Sequence, residues 1–191
     1  ISGACASITS ALSPADGSAM LTTNPHATGT MPRAQHLPPS NVVEHSGADI
    51  FASRAKVLVN PVNTVGIMGA GLAKQFATRF PQALHAYRRA CAHRLVRPGT
   101  CLYWRNPDRH AQDVLMFATK DHWRDPSLLE YIESGLPRLV DQLNRHDAPS
   151  VAIPALGCGL GGLLWQDVRP LLHSAALELP RTQVHLFGPG A

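Results

Sequence analysis

The sequence contains no run approaching 18 consecutive apolar residues, which excludes a transmembrane helix of ordinary length. Its first ten residues, ISGACASITS, lack both a basic segment and a long apolar core, so no secretory signal is expected. Cysteine is scarce: Cys5, Cys91, Cys101 and Cys158 include no C-x-x-C pair and match no zinc spacing. A disulfide scaffold is thereby excluded, and a reduced, cytoplasmic protein with no membrane partner is expected. The ten histidines are scattered, with His85 and His93 eight apart on one helix, so no metal site is assigned. The glycine-containing stretch after Asn60 lacks two nucleotide signatures: it has no G-x-G-x-x-G spacing and no G-K-[ST] follows it, so it is neither a dinucleotide fingerprint nor a P-loop.

What remains is enough for one domain with a sizeable core: 191 residues, 45% of them hydrophobic. The net charge of +4 and the pI of about 9.1 fit a polyanionic ligand or nucleic acid without requiring one. Residues 1–40 hold five prolines, no aromatic residue and only Asp16 and Arg33 as charges. They read as a disordered or loosely attached tail ahead of a folded domain at 41–191.

Within that domain, Val42–Glu44 and the β-branched run Lys56–Asn60 read as strands. Leu72, Phe76 and Phe80 recur at helical spacing. Pro81 opens a second helix reaching Arg94. Thr100–Trp104 and Val114–Thr119 read as strands. Ser127, with Glu130 three residues on, predicts a capping box for the next helix, which Pro137 kinks or divides. Ser150–Ile153 is a strand, Trp165–Leu179 a helix and Gln183–Phe187 a last strand. Alternation of this kind predicts a mostly parallel sheet with helices on both faces, and ligands at the carboxyl edge of its strands.

Two glycine-rich loops leave that edge. One runs Asn60-Pro-Val-Asn63-Thr-Val-Gly66-Ile-Met-Gly69-Ala70-Gly71-Leu72. The other runs Pro154-Ala-Leu156-Gly157-Cys158-Gly159-Leu160-Gly161-Gly162. Each leaves a buried strand and enters a helix, so backbone N–H groups and a helix N-terminus can meet a diphosphate. Cys158 reads better as a small packing residue than as a nucleophile, since no His neighbours it in sequence. Thr119-Lys120-Asp121-His122-Trp123-Arg124 ends the fourth strand. A free lysine has a pKa near 10.4, so only about one in 2,500 is neutral at pH 7. Lys120 thus reads as a solvated surface group more readily than as a nucleophile or proton donor. His122, Trp123 and Arg124 could contact DNA, with Trp123 on a base and Arg124 on a phosphate, but packing explains Trp123 equally well. Asp49, in Asp49-Ile50-Phe51, could accept a hydrogen bond from an exocyclic amine.

Taken together, Asp-Ile-Phe at 49–51, Asn-Pro-Val-Asn at 60–63, Gly-Ile-Met-Gly-Ala-Gly at 66–71 and Pro-Ala-Leu-Gly-Cys-Gly at 154–159 resemble the ligand loops of the macrodomain family. Met68–Phe76 and Thr119-Lys-x-His-Trp-Arg-x-Pro-Ser127 resemble its DarG-type DNA ADP-ribosyl glycohydrolases, related to terminal ADP-ribose protein glycohydrolases. The resemblance implies an α/β/α sandwich around a mixed, mostly parallel six-stranded sheet. It implies an ADP-ribosyl glycohydrolase that needs no cofactor and removes ADP-ribose from thymidine in single-stranded DNA. The alternatives are ADP-ribosyl Glu or Asp on protein, O-acetyl-ADP-ribose, or a binding module without turnover. It places adenine at Asp49 and Ile50 and the distal ribose at Asn63. Asn60, Gly69–Leu72, Thr119, Pro154 and Leu156–Gly161 complete the ADP-ribose contacts, and Lys120 becomes catalytic, acting at the anomeric carbon or on the leaving group. Partners implied are ADP-ribosylated single-stranded DNA and a cognate DNA ADP-ribosyltransferase toxin. Three departures stand out: Ala70 where DarG sequences usually have Lys, Ala118 where they have Pro, and Gly161 where protein-directed relatives carry Asp. The chain stops soon after Phe187 without the second domain of DarG antitoxins, so neutralisation by direct toxin binding is not expected.

Overall fold

The computed structural model describes residues 40–190. The expected tail, 1–40, lies outside these residues but for Ser40.

Six strands and four helices alternate: β1 (Val42–Ser46), β2 (Val57–Val62), α1 (Gly71–Arg79), α2 (Pro81–Ala92), β3 (Cys101–Trp104), β4 (Asp113–Ala118), α3 (Leu129–Arg145), β5 (Ser150–Pro154), α4 (Trp165–Leu177) and β6 (Gln183–Gly188). A single turn of 3-10 helix, Ile50–Ala52, lies between β1 and β2. The sheet order is β1-β6-β5-β2-β4-β3. Every neighbouring pair is parallel except β3 with β4. This is the mixed, mostly parallel sheet expected.

Period-2 alternation divides the core into two layers. Val57, Val59, Leu115, Phe117, Val151 and Ile153 face α3 and α4. Leu58, Val62, Val114, Met116 and Ala118 face α1 and α2. Gly135 lets α3 lie close on β4, because a Cβ there would meet the Phe117 ring at 2.3 Å.

The strand connections place the crevice. From β2 the chain winds toward β4 and β3; from β5 it winds the other way, toward β6. Their carboxyl ends thus flank a topological switch point, where ligands bind in open α/β sheets. The two strands also part there, since pairing ends at Val57 with Val151 and Leu58 with Ala152. Pro61 fits this separation. The carbonyls of Lys56 and Val62 accept from Asp113 in β4 and from Thr119 just after it, so odd-numbered positions of β2 face β5, and Pro61 has no N–H to lose on that open side. The strand therefore continues two residues past Asn60, where a loop was expected.

One local expectation fails, and of the two outcomes expected at Pro137 division is excluded. Ser127 does not cap α3; the helix starts at Leu129 after Leu128, with no side-chain cap. Ser127 is instead buried, its N–H donating to the Gly161 carbonyl at 2.9 Å. Pro137 does not divide α3, which runs unbroken over 17 residues. Pro137 and Glu133 lie on the exposed face, so the carbonyl that loses its helical donor can be solvated.

Candidate functional site

The connections after β1, β2, β4 and β5 all leave the carboxyl edge; hydrogen bonds tie the last three into one cluster, and the first packs on α1 through Phe51 and Phe76, ring centroids 4.8 Å apart. Thr64 N–H and Oγ1 donate to the Asp121 carbonyl at 2.9 and 2.7 Å, joining the loops after β2 and β4. Ser127 joins the β4 loop to Gly161 in the β5 loop. Leu160 joins the β5 loop to the β2 loop, because a Cβ at Gly71 would lie 3.4 Å from its Cδ1.

Each glycine-rich loop is shaped by its own residues. Asn63 is buried, and its Oδ1 accepts from Val65 N–H at 3.0 Å while its Nδ2 donates to the Ile67 carbonyl at 2.6 Å. Tyr87 of α2, fully buried, donates its hydroxyl to Asn63 from below, 2.8 Å from the backbone oxygen. Asn63 is thus the organiser of its loop, with one amide hydrogen uncommitted. The turn delivers Gly69, Ala70 and Gly71, all exposed, to the start of α1. Ala70 supplies no side-chain cap, so the first N–H groups of α1 lack an intrahelical acceptor.

In the β5 loop, a Cβ at Gly161 would sit 2.2 Å from the Gly157 carbonyl oxygen and 2.3 Å from Ser127 Oγ. Gly157 has a φ of +73°, where a side chain is disfavoured. Gly159 and Leu160 stand clear, and the N–H groups of Gly159, Leu160 and Gly161 have no acceptor among the described residues. Gly159 and Leu160, with Gly69–Gly71 on the other loop, are exposed at this rim, and their unpaired amides suit an anion; Gly161 is buried behind them.

Lys120 lies against the second of these loops. Its Nζ donates to the Leu160 carbonyl at 2.6 Å, reaching from the end of β4 across to the β5 loop. Thr119 is buried just behind, its N–H on the Val62 carbonyl. Trp123 is 44% exposed, with the Arg124 guanidinium 4.5 Å from its ring centroid and the His122 ring tilted beside it at 5.3 Å. Asp49 is exposed and caps the 3-10 turn, one oxygen accepting from Phe51 N–H at 3.0 Å.

Other expected contacts sit differently. The side chains of Ile50 and Leu156 are buried in the two core layers, so only their backbone can meet a ligand. Asn60 is buried too; its Nδ2 reaches Met68 Sδ at 3.5 Å and its Oδ1 has no partner among the described residues. Pro154 is buried at the end of β5. Cys158 donates to the Leu156 carbonyl, and burial, aided by the Asp167 charge, pushes its thiol up to about 11. It packs and is not poised as a thiolate. Leu72, the second residue of α1, is half-buried. Among the described residues, no group of three or more His, Cys, Asp or Glu side chains is placed to hold a metal ion. None of their helices is long and apolar enough to cross a membrane.

Sequence reasoning missed Tyr87, the Leu160 carbonyl and Ser127. Tyr87 carried a faint signal as the one aromatic among the inward positions of α2. The other two are backbone and packing relations with no signature.

The chain matches the family model described as Macro domain over residues 59–172. A curated DNA ADP-ribosyl glycohydrolase of Thermus aquaticus is 39% identical over 142 residues, 74% of this chain and 39% of that protein. The chain spans about two fifths of the length of the curated glycohydrolases it matches. The solved macrodomain of Mycobacterium tuberculosis DarG is 38% identical, with a TM-score of 0.72 over 76% of this chain and 96% of that one. Thermosipho africanus DarTG, solved in complex with ADP-ribose, is 34% identical with a TM-score of 0.73, over 79% of this chain and 42% of that one. With the family model matching more than half of its length, and a DarG macrodomain covered almost end to end, this chain belongs to the macro domain family and is of the DarG type.

Proposed function

We propose that this chain is an ADP-ribosyl glycohydrolase that binds ADP-ribose between the Gly69–Leu72 and Gly159–Gly161 amides and cleaves it from thymidine in single-stranded DNA. The observation that carries the reading is Lys120 Nζ, 2.6 Å from the Leu160 carbonyl at the shared rim of both loops. The diphosphate meets unpaired N–H groups at the start of α1. The second carboxylate oxygen of Asp49 accepts from the adenine amine. Hydrolysis adds water at the anomeric carbon of the distal ribose, breaks its bond to the base and leaves a proton on the base. Lys120 acts at that bond. The name of the Thermus relative and the ADP-ribose held by the Thermosipho protein support this reading.

The choice of DNA rests on Trp123, exposed beside Lys120 with Arg124 against its ring, which suits an unpaired base and its phosphate. Gly161 points the same way. The backbone excludes any side chain there, including the Asp of protein-directed relatives. A DNA ADP-ribosyltransferase must install the substrate and is the partner expected. Cys91, Cys101 and Cys158, none of them bridged, suit a cytoplasmic location.

The test supplies the protein with an oligonucleotide carrying ADP-ribosyl thymidine and, separately, a peptide carrying ADP-ribosyl glutamate. Mass spectrometry should find ADP-ribose released from the oligonucleotide only. Release from the peptide alone, or from neither, overturns the reading.

A further inference from the structure

Acidic residues are distributed unevenly. From residue 50 to 107 the sequence has nine Lys and Arg and no Asp or Glu. The fold gathers much of this stretch into one layer, α1, α2 and the turn after α2. There Lys74, Arg79, Arg88, Arg89, Arg94 and Arg97 are all exposed. None forms an ion pair among the described residues. On the opposite layer, α3 and α4 carry both signs: Glu130, Glu133, Asp141 and Asp167 against Arg138, Arg145 and Arg169. The small net charge of the chain therefore conceals a face of a single sign.

That face is continuous with the cleft. Arg88 packs its stem against the β2 loop, since a Cβ at Gly66 would lie 3.8 Å from Arg88 Cγ. Two residues before Gly66, Thr64 holds Asp121 of the loop that carries Trp123 and Arg124. A path thus runs from the exposed Trp123, over Thr64 and Gly66, to Arg88 and along α2.

We infer that the outer face of α1 and α2, entered at Arg88, is a track for the phosphate backbone of the single-stranded DNA whose modified base lies at Lys120. This rests on the DNA reading above and extends it from the reacting nucleotide to its neighbours. Charge complementarity selects the occupant. Five of the six cations are arginines, whose planar fork suits phosphate oxygens, and an aromatic platform for a base stands at the head of the path. A membrane surface would call for exposed apolar side chains along the helices, and among the described residues Leu95 is the one large example on α1, α2 and the turn after them; Val65 and Ile67 are exposed only in the loop ahead of α1.

The track is tested by fluorescence anisotropy of an unmodified, labelled single-stranded 20-mer over a range of salt concentrations. Arg88→Glu/Arg89→Glu is compared with Arg145→Glu/Arg181→Glu, the same charge change at the amino edge of the sheet. The first pair should weaken binding roughly tenfold and flatten the slope of log affinity against log salt by about 1.4, or about 0.7 per phosphate contact. The second pair should do much less. ADP-ribose affinity, measured by calorimetry, should be unchanged in both, which also reports folding. Equal losses in both pairs would reduce the effect to net charge and overturn the track. So would tighter binding of polyglutamate or of phosphatidylserine vesicles than of the oligonucleotide. If wild type releases ADP-ribose from DNA and the first pair leaves binding and slope unaltered, the track fails and the glycohydrolase stands. If the slope changes as expected but wild type releases nothing, the track stands and the glycohydrolase reading fails.

Discussion

Lys120 Nζ donates to the main-chain oxygen of Leu160 at 2.6 Å, linking positions 40 residues apart in sequence. The acceptor is backbone, so the link survives changes to the Leu160 side chain, which is 74% exposed. Only Lys120 can be removed by mutation.

Lys120→Ala is therefore expected to lower the single-turnover rate of ADP-ribose release from modified DNA by about 10²–10⁴-fold, the range for loss of a positioned proton-transfer or polar catalytic group. Leu160→Ala keeps the carbonyl and should stay close to wild type. Calorimetric titration with ADP-ribose should show binding in both. An unaltered rate for Lys120→Ala would remove that amine from the chemistry.

The β5 loop offers a paired test of backbone approach. Gly161→Ala forces a Cβ to 2.2 Å from the Gly157 oxygen, which neither backbone nor buried Ser127 can relieve cheaply. It should destabilise the fold by about 1–3 kcal/mol, the usual range for overpacking, in chemical denaturation. At Gly159 nothing lies within 4 Å of a new Cβ, so Gly159→Ala should unfold like wild type. If a diphosphate approaches that amide closely, Gly159→Ala should still weaken ADP-ribose binding. Full affinity in a stable Gly159→Ala protein would place the diphosphate elsewhere.

Trp123→Ala should separate DNA from ADP-ribose. A base stacked on an aromatic ring contributes about 1–3 kcal/mol, so affinity for a single-stranded oligonucleotide should fall about tenfold. Free ADP-ribose should bind as before. Tryptophan fluorescence provides an independent check, since stacking should quench Trp123 in wild type.

The Cys158 thiol, held near 11 by burial and the Asp167 carboxylate, should be almost wholly protonated at pH 7. A raised thiol pKa withholds the nucleophilic thiolate until the pH approaches it. Alkylation by iodoacetamide, followed by peptide mapping, should be slow at pH 7 and accelerate toward pH 10. Cys158→Ala should retain turnover. Rapid labelling of Cys158 at neutral pH would contradict this.

Much of the fold was legible in the chain because periodicity and punctuation are local. The apolar run at Val57–Val59, the helical spacing of Leu72, Phe76 and Phe80, and Pro81 at a helix start each act within a few residues. The errors were also local, and each was overruled from a distance. Ser127 had the pattern of a cap but was drawn under Gly161, its N–H on the Gly161 carbonyl. Pro61 looked like the end of a strand, yet β4 paired with β2 through Val62.

The sequence by itself determined which segments are strands, which are helices and where backbone could come close to a ligand, because those properties depend on neighbours along the chain. It also held the run without acidic residues between Asp49 and Asp108. Only the tertiary structure decided that Lys120 meets Leu160, that Tyr87 holds Asn63, and that six of the nine cations of that run lie exposed in one layer. Those are meetings across the sheet, set by strand order and by which helix covers which side, and no local pattern encodes them.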